Sequence, residues 1–305
     1  YADTHAEATL RESWANGAVN VLNDLRASDP AAARALLIEM KAYADTHAEA
    51  TLRESWANGA FNVLNDLRAS DPAAARALLI EMKAYADTHA EATLRESWAN
   101  GAVNVLNDLR ASDPAAARAL LIEMKAYADT HAEATLRESW AKGAVNVLND
   151  LRASDPAAAR ALLIEMKAYA DTHAEATLRE SWANGAVNVL NDLRASDPAA
   201  ARRLYLEVVD ALSATTDFVD LVALTRCCLL LLHAAKQEAE QLAADSDIAS
   251  KTPSAVLQAA RLLLPLVGGQ YEEFERMRSQ LLQADTNDTH TAVRIVEEIV
   301  RQADA

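Results

Sequence analysis

The sequence has almost no cysteine: two in 305 residues, adjacent at Cys227 and Cys228. Neighbouring cysteines rarely bridge each other, so no disulfide framework is available and a reducing, cytoplasmic setting is expected. Glycine and proline are also scarce, seven of each, which excludes a low-complexity or collagen-like chain. Basic residues are in deficit, 29 against 45 acidic ones, for a formal charge of −16. A nucleic-acid backbone needs clustered Lys and Arg, so nucleic acid is not an expected partner. No apolar run approaches the roughly 20 residues of a spanning helix. The most apolar stretch, Leu221 to Ala235, is interrupted by Arg226 and reads as a buried helix, so no membrane partner is expected either. No stretch of these residues reads as a signal peptide.

What is present is repetition. YADTHAEATLRESW begins at Tyr1 and returns at Tyr43, Tyr85, Tyr127 and Tyr169, a period of 42 residues. The copies at Tyr1 and Tyr85 are identical, the second differs only by Phe61, the fourth only by Lys142, and the fifth holds the pattern to Arg202. Five of the glycines and five of the prolines recur once per copy, so they punctuate one unit. Because the chain opens on Tyr in phase with the repeat, it reads as a piece of a longer array. The organisation expected is five tandem repeats over residues 1–212, followed by a degenerate repeat and C-terminal capping helices over 213–305.

Within a copy, Leu10, Trp14, Gly17, Ala18, Val21 and Leu25 recur at spacings of three and four, the stripe of an amphipathic helix, here helix A. Asp29-Pro30 then supplies an N-cap and a first-turn proline for a second helix, B. Its apolar face is Ala33, Leu36, Leu37, Met40 and Ala44. Two overlapping T-x-x-E boxes, Thr46 to Glu49 and Thr51 to Glu54, offer a start for the next helix A; the second fits better, because periodicity resumes at Leu52. Beyond Arg202, residues 217–244 take the place of a sixth helix A. Thr252-Pro253 reads as an N-cap and first-turn pair closed by Gly268-Gly269, and two more amphipathic helices follow, giving fourteen.

A single hairpin of this kind cannot bury its stripe, whereas stacked hairpins form one continuous core. The expected fold is therefore all-α, an α-solenoid of antiparallel helix pairs with a C-terminal helical cap. The W-A-N-G of Trp14 to Gly17 and the D-P-A-A-A of Asp29 to Ala33 resemble the tetratricopeptide repeat, in its longer, 42-residue class. The resemblance covers residues 1–202, with Gly three residues after Trp instead of four. It implies a right-handed superhelix whose A helices line a concave, peptide-binding surface.

Candidate chemistry is thin. His5 in D-x-H-x-E, with its copies, has no second His or Cys in its repeat, so it reads as a solvated loop residue and not a metal ligand. The five tryptophans, Trp14, Trp56, Trp98, Trp140 and Trp182, read as core anchors. Cys227 and Cys228, in an apolar helix, read as buried and unreactive. No phosphate loop, nucleophile elbow or metal motif is present, so no enzyme, catalytic residue or cofactor is expected.

One polar pattern stands out on helix A. Asparagine is a mediocre helix former, yet Asn16, Asn20 and Asn23 follow Glu12 on one face. The ladder continues as Asn58, Asn62 and Asn65, then Asn100, Asn104 and Asn107. In the fourth copy it runs Lys142, Asn146, Asn149, and in the fifth Asn184, Asn188, Asn191. Side-chain amides both donate and accept, so they can pair with a peptide backbone. The expected function is a protein-interaction scaffold holding protein or peptide partners on this face, with basic or repetitive partners favoured by charge. Two alternatives stand beside it: a self-assembling repeat module, and the sensor arm of a larger enzyme.

Overall fold

The computed structural model describes residues 8–173, 175–212, 218–233 and 250–303. Among the described residues the chain is all-α. The helices are α1 (Ala8–Ser28), α2 (Pro30–Asp45), α3 (Ala50–Ser70), α4 (Pro72–Thr88), α5 (Ala92–Ser112), α6 (Pro114–Thr130), α7 (Ala134–Ser154), α8 (Pro156–Thr172), α9 (Ala176–Ser196) and α10 (Pro198–Leu212). Four more follow: α11 (Phe218–His233), α12 (Ser254–Val267), α13 (Tyr271–Gln283) and α14 (Asn287–Ala303). Fourteen helices, the number expected from the sequence, lie among the described residues, and residues 234–244 of the sixth A segment lie outside them. Two compact units divide the chain, Tyr1–Val147 and Leu148–Ala305.

Asp-Pro fixes the start of every B helix. Asp29, Asp71 and Asp113 each accept the backbone N–H three residues on, at 3.1, 3.0 and 3.1 Å, with Pro in the first turn. One orphan donor is thereby satisfied where the chain reverses. The A helices start differently from the expectation. α3 and α5 begin at Ala50 and Ala92 with Glu49 and Glu91 at the N-cap and no side-chain capping bond. Neither threonine box forms, because its members are engaged elsewhere. Thr51 donates to Glu12 at 3.2 Å and Glu49 accepts from Arg11 at 2.8 Å, while Thr46 turns back to the Tyr43 carbonyl at 2.9 Å.

In the first unit α3 packs on α1, α2, α4 and α5, so successive A helices stack directly. The glycine of helix A faces this contact: a Cβ at Gly59 would stand 3.4 Å from Leu37 Cδ1 and 3.7 Å from Leu22 Cδ1, ordinary contact distances. The stripe inferred from the sequence is the buried one, with Leu52, Trp56, Gly59, Ala60, Val63 and Leu67 inside, and α4 contributes Ala75, Leu79, Met82 and Ala86. Trp56 and Trp98 meet Tyr85 and Tyr127 edge-on, with centroids 4.5 Å apart.

Trp14 departs from the core-anchor reading. It is 37% exposed and Val21 51%, whereas Trp56, Trp98, Trp140 and Trp182 are 2% exposed. The reason is position: interior tryptophans lie against a preceding helix B as well as their own, and no described helix precedes α1.

In the second unit α11 lies on α9 and α10, α12 on α11, and α13 and α14 close over α12. Val222, Ala259, Leu262, Leu263, Phe274, Ala292, Ile295 and Val296 form one cluster there. Thr252 is not the expected N-cap. It is buried, with its hydroxyl 2.7 Å from that of Tyr205, and Pro253 takes the capping position without a side-chain bond. Gly268 and Gly269 end α12 as expected, Gly269 at φ +74°.

Candidate functional site

The expected recognition residues fall on the A helices, and the structure divides them into two sets. The second and third amides of each ladder bond to one another across repeats. Asn62 donates to Asn23 at 3.1 Å, Asn104 to Asn65 at 2.9 Å, Asn146 to Asn107 at 2.8 Å and Asn188 to Asn149 at 2.9 Å. Below this rung Arg26 forks onto Asp66, Arg68 onto Asp108 and Arg152 onto Asp192, the second prong measuring 2.9, 2.8 and 2.7 Å. Glu12 is engaged by Thr51, as Glu54 is by Thr93 at 3.1 Å. The first amide of each ladder is free: Asn16, Asn58, Asn100 and Asn184 make no hydrogen bond among the described residues, and nor does Lys142. All but the half-buried Asn184 are exposed, as are Asn20 and Asn191.

At the other end of helix A the same logic continues. Arg53 donates to Glu91 at 2.9 Å and also to the carbonyls of His47 and Ala48 at 3.3 and 3.2 Å. The Arg11 hydrogen bond holds the Glu49 carboxyl below its ordinary value. For Glu91 and Glu133 burial pushes upward, but the Arg53 and Arg95 guanidiniums and backbone N–H groups outweigh it. Arginine suits this junction because its fork engages carboxylate and carbonyl together.

The repeat histidines lie in the loops, as expected, but are half-buried and not freely solvated. His47, His89 and His131 each place Nδ1 within 2.8 to 2.9 Å of the tyrosine carbonyl four residues earlier. Their rings lie 4.3 Å from that tyrosine's ring, closing the end of helix B. His5 lies outside the described residues. No group of three or more His, Cys, Asp or Glu stands together among those described. No described helix is long and apolar enough to cross a membrane. Cys227 and Cys228 are buried, and burial pushes both thiols up, Cys228 to about 11.

A second periodic surface, on the B side, escaped the sequence reading. Between α4 and α6, over a floor of α5, runs a groove of ≈ 280 Å³ lined by Leu79, Ile80, Trp98, Val105, Leu109 and Leu120. Arg76, Lys83 and Glu123 stand at its edges. The same arrangement recurs between α8 and α10 over α9, with ≈ 500 Å³. Ile38, Ile80, Ile122 and Ile164 are 69 to 70% exposed. The signal was available: in each full copy this isoleucine stands four residues after Arg34 or its equivalent, on the polar side of helix B.

No protein-family model, curated protein or solved structure matches the chain.

Proposed function

We propose that the chain is a tetratricopeptide-like interaction scaffold that holds a peptide or protein partner on the A-helix face. The observation that carries this reading is the free first amide of the ladder. Every junction fastens its second and third asparagines to a neighbour, yet Asn16, Asn58, Asn100 and Asn184 are left with unspent donors and acceptors at one-repeat spacing. Evenly spaced weak contacts multiply when one partner spans them. The chain's formal charge of −16 favours a basic partner.

The test begins with a pull-down using the full chain as bait. Titrations then compare the recovered partner with the parent, with the quadruple variant Asn16→Ala, Asn58→Ala, Asn100→Ala and Asn184→Ala, and with Lys142→Asn. Each amide contact contributes about 1 kcal/mol, so the quadruple variant is expected to weaken binding about tenfold or more with unchanged melting, and Lys142→Asn to tighten a basic partner modestly. Equal affinity for parent and quadruple variant would overturn the reading.

End-to-end self-association is a second reading, favoured by junctions that repeat the same arginine–glutamate contact from copy to copy. Sedimentation against concentration tests it: a Trp14→Ala, Val21→Ala variant should remain monomeric where the parent associates. A parent that stays monomeric throughout removes it.

A further inference from the structure

We propose that the groove between α8 and α10 is a docking site for an acidic amphipathic segment of another protein, leucine-like side chains entering the groove and carboxylates meeting Arg160 and Arg203. This site is independent of the A-helix reading and calls for a partner of the opposite charge.

The first ground is the state of the arginines. On the A helices most are committed, Arg11 to Glu49, Arg26 to Asp66, Arg53 to Glu91, Arg68 to Asp108 and Arg152 to Asp192, with Arg194 an exception among the described residues. Arg160 and Arg203 are exposed and have no hydrogen bond or ion pair among the described residues. The nearest N-cap carboxylates do not line the groove. Asp155 and Asp197 accept the N–H groups of Ala158 and Ala200, at 3.1 and 3.0 Å, and Asp192 holds Arg152. At the far end Lys167 is bonded to Asp171 at 2.7 Å, and Glu207 sits one turn after Arg203. In a chain of charge −16, the lining of this groove carries Arg160, Lys167 and Arg203 against the single carboxylate of Glu207, a local inversion of sign.

The second ground is the contrast with the groove between α4 and α6. There Ala119 occupies the position of Arg203, only one wall carries an unpaired arginine, and the space is ≈ 280 Å³ against ≈ 500 Å³. The fifth repeat thus departs from the array by adding a cation and widening the slot. Its floor stays apolar, with Trp182, Val189 and Leu193. From Arg160 to Lys167 the wall rises about 10 Å, room for apolar side chains one helical turn apart, which is the helix-in-groove mode of recognition. Guanidinium forks match carboxylates better than any other anchor in the protein's repertoire.

The test uses a fluorescein-labelled peptide, acetyl-Glu-Leu-Leu-Glu-Glu-Leu-Leu-Glu-amide, and its lysine-for-glutamate counterpart, titrated by anisotropy against the full chain. The glutamate peptide is expected to bind and the lysine peptide to bind more weakly. Arg160→Glu with Arg203→Glu should weaken the glutamate peptide about tenfold or more, Arg203→Ala should fall between, and Arg76→Glu should change little, all with parental circular dichroism. The A-face quadruple alanine variant should bind this peptide like the parent. No binding by the parent at millimolar chain overturns the proposal. So does equal affinity for the two peptides, for the parent and the double variant, or for the Arg76→Glu and double variants, and so does loss of binding in the quadruple variant.

Discussion

Trp14 and Trp98 occupy the same position in two copies of identical sequence, so substituting each by alanine isolates the effect of place in the stack. Trp98 is 2% exposed, edge-on to Tyr127 at 4.5 Å, with the Lys83 ammonium 6.0 Å from its ring centre. A tryptophan buries about 150–250 Å², which at about 25 cal/mol per Å² corresponds to about 4–6 kcal/mol of transfer free energy. Truncations of this size in cores cost about 3–5 kcal/mol, and Trp98→Ala is expected in that range. Trp14 is 37% exposed and keeps only its own hairpin's contact, with Tyr43 at 4.4 Å. With roughly two-thirds of the transfer term and an open dent that water fills in place of a sealed cavity, Trp14→Ala should cost about 2 kcal/mol. Guanidinium unfolding followed by circular dichroism measures both, provided the slope stays constant between variants. Equal costs, within about 0.5 kcal/mol, would refute the claim that the preceding hairpin is what buries the ring.

Asp71→Ala removes the side-chain acceptor of the Ala74 N–H and should cost about 1 kcal/mol in the same assay, with Asp71→Asn recovering most of it. The depressed Glu49, Glu91 and Glu133 carboxyls contribute stability present above the ordinary value of 4.5 and lost as pH falls through their lower folded values. Melting temperature should therefore drop on acidification below about pH 4.5, and Arg53→Gln should flatten that limb; an unchanged limb argues against the junction pair. The raised Cys227 and Cys228 thiols favour their neutral forms, so their contribution is complete below 9.0 and declines as pH rises toward about 11. At about pH 8 a thiol reagent should react only as fast as the chain unfolds; immediate labelling of the native protein would place the sulfurs at the surface.

Local signals were legible and junction signals were not. Asp29-Pro30 could be read from two residues, because an N-cap and its proline act within one turn. The Leu52 to Leu67 stripe was equally plain from its spacing. Thr51 and Glu49 misled because they carry the pattern of a cap while their partners, Glu12 and Arg11, lie 39 and 38 residues earlier in the chain. The asparagine ladder was visible as a period, but only the fold divides its members into fastened and free. Trp14 could not be told from Trp98 at all, since their surroundings in sequence are the same and their burial differs through the hairpin stacked before one of them. The B-side groove was missed because Ile38 counts as a lone apolar residue on a polar face until two B helices stand side by side.

Because the junctions are alike, they are also interchangeable. Arg11 meets Glu49 across 38 residues, and Arg53 meets Glu91 and Arg95 meets Glu133 across the same interval. A folding chain can therefore seat its first hairpin on its third and satisfy the same threonine, asparagine and arginine contacts, with the second hairpin extruded as a loop. Doubling the length of a loop costs only about 0.6 kcal/mol, so the main penalty for skipping a hairpin is the junctions left unmade. Phe61 and Lys142 are the only tags that distinguish one full copy from another. The non-repeating helices beyond Leu212 give the array an unambiguous end from which register can be counted.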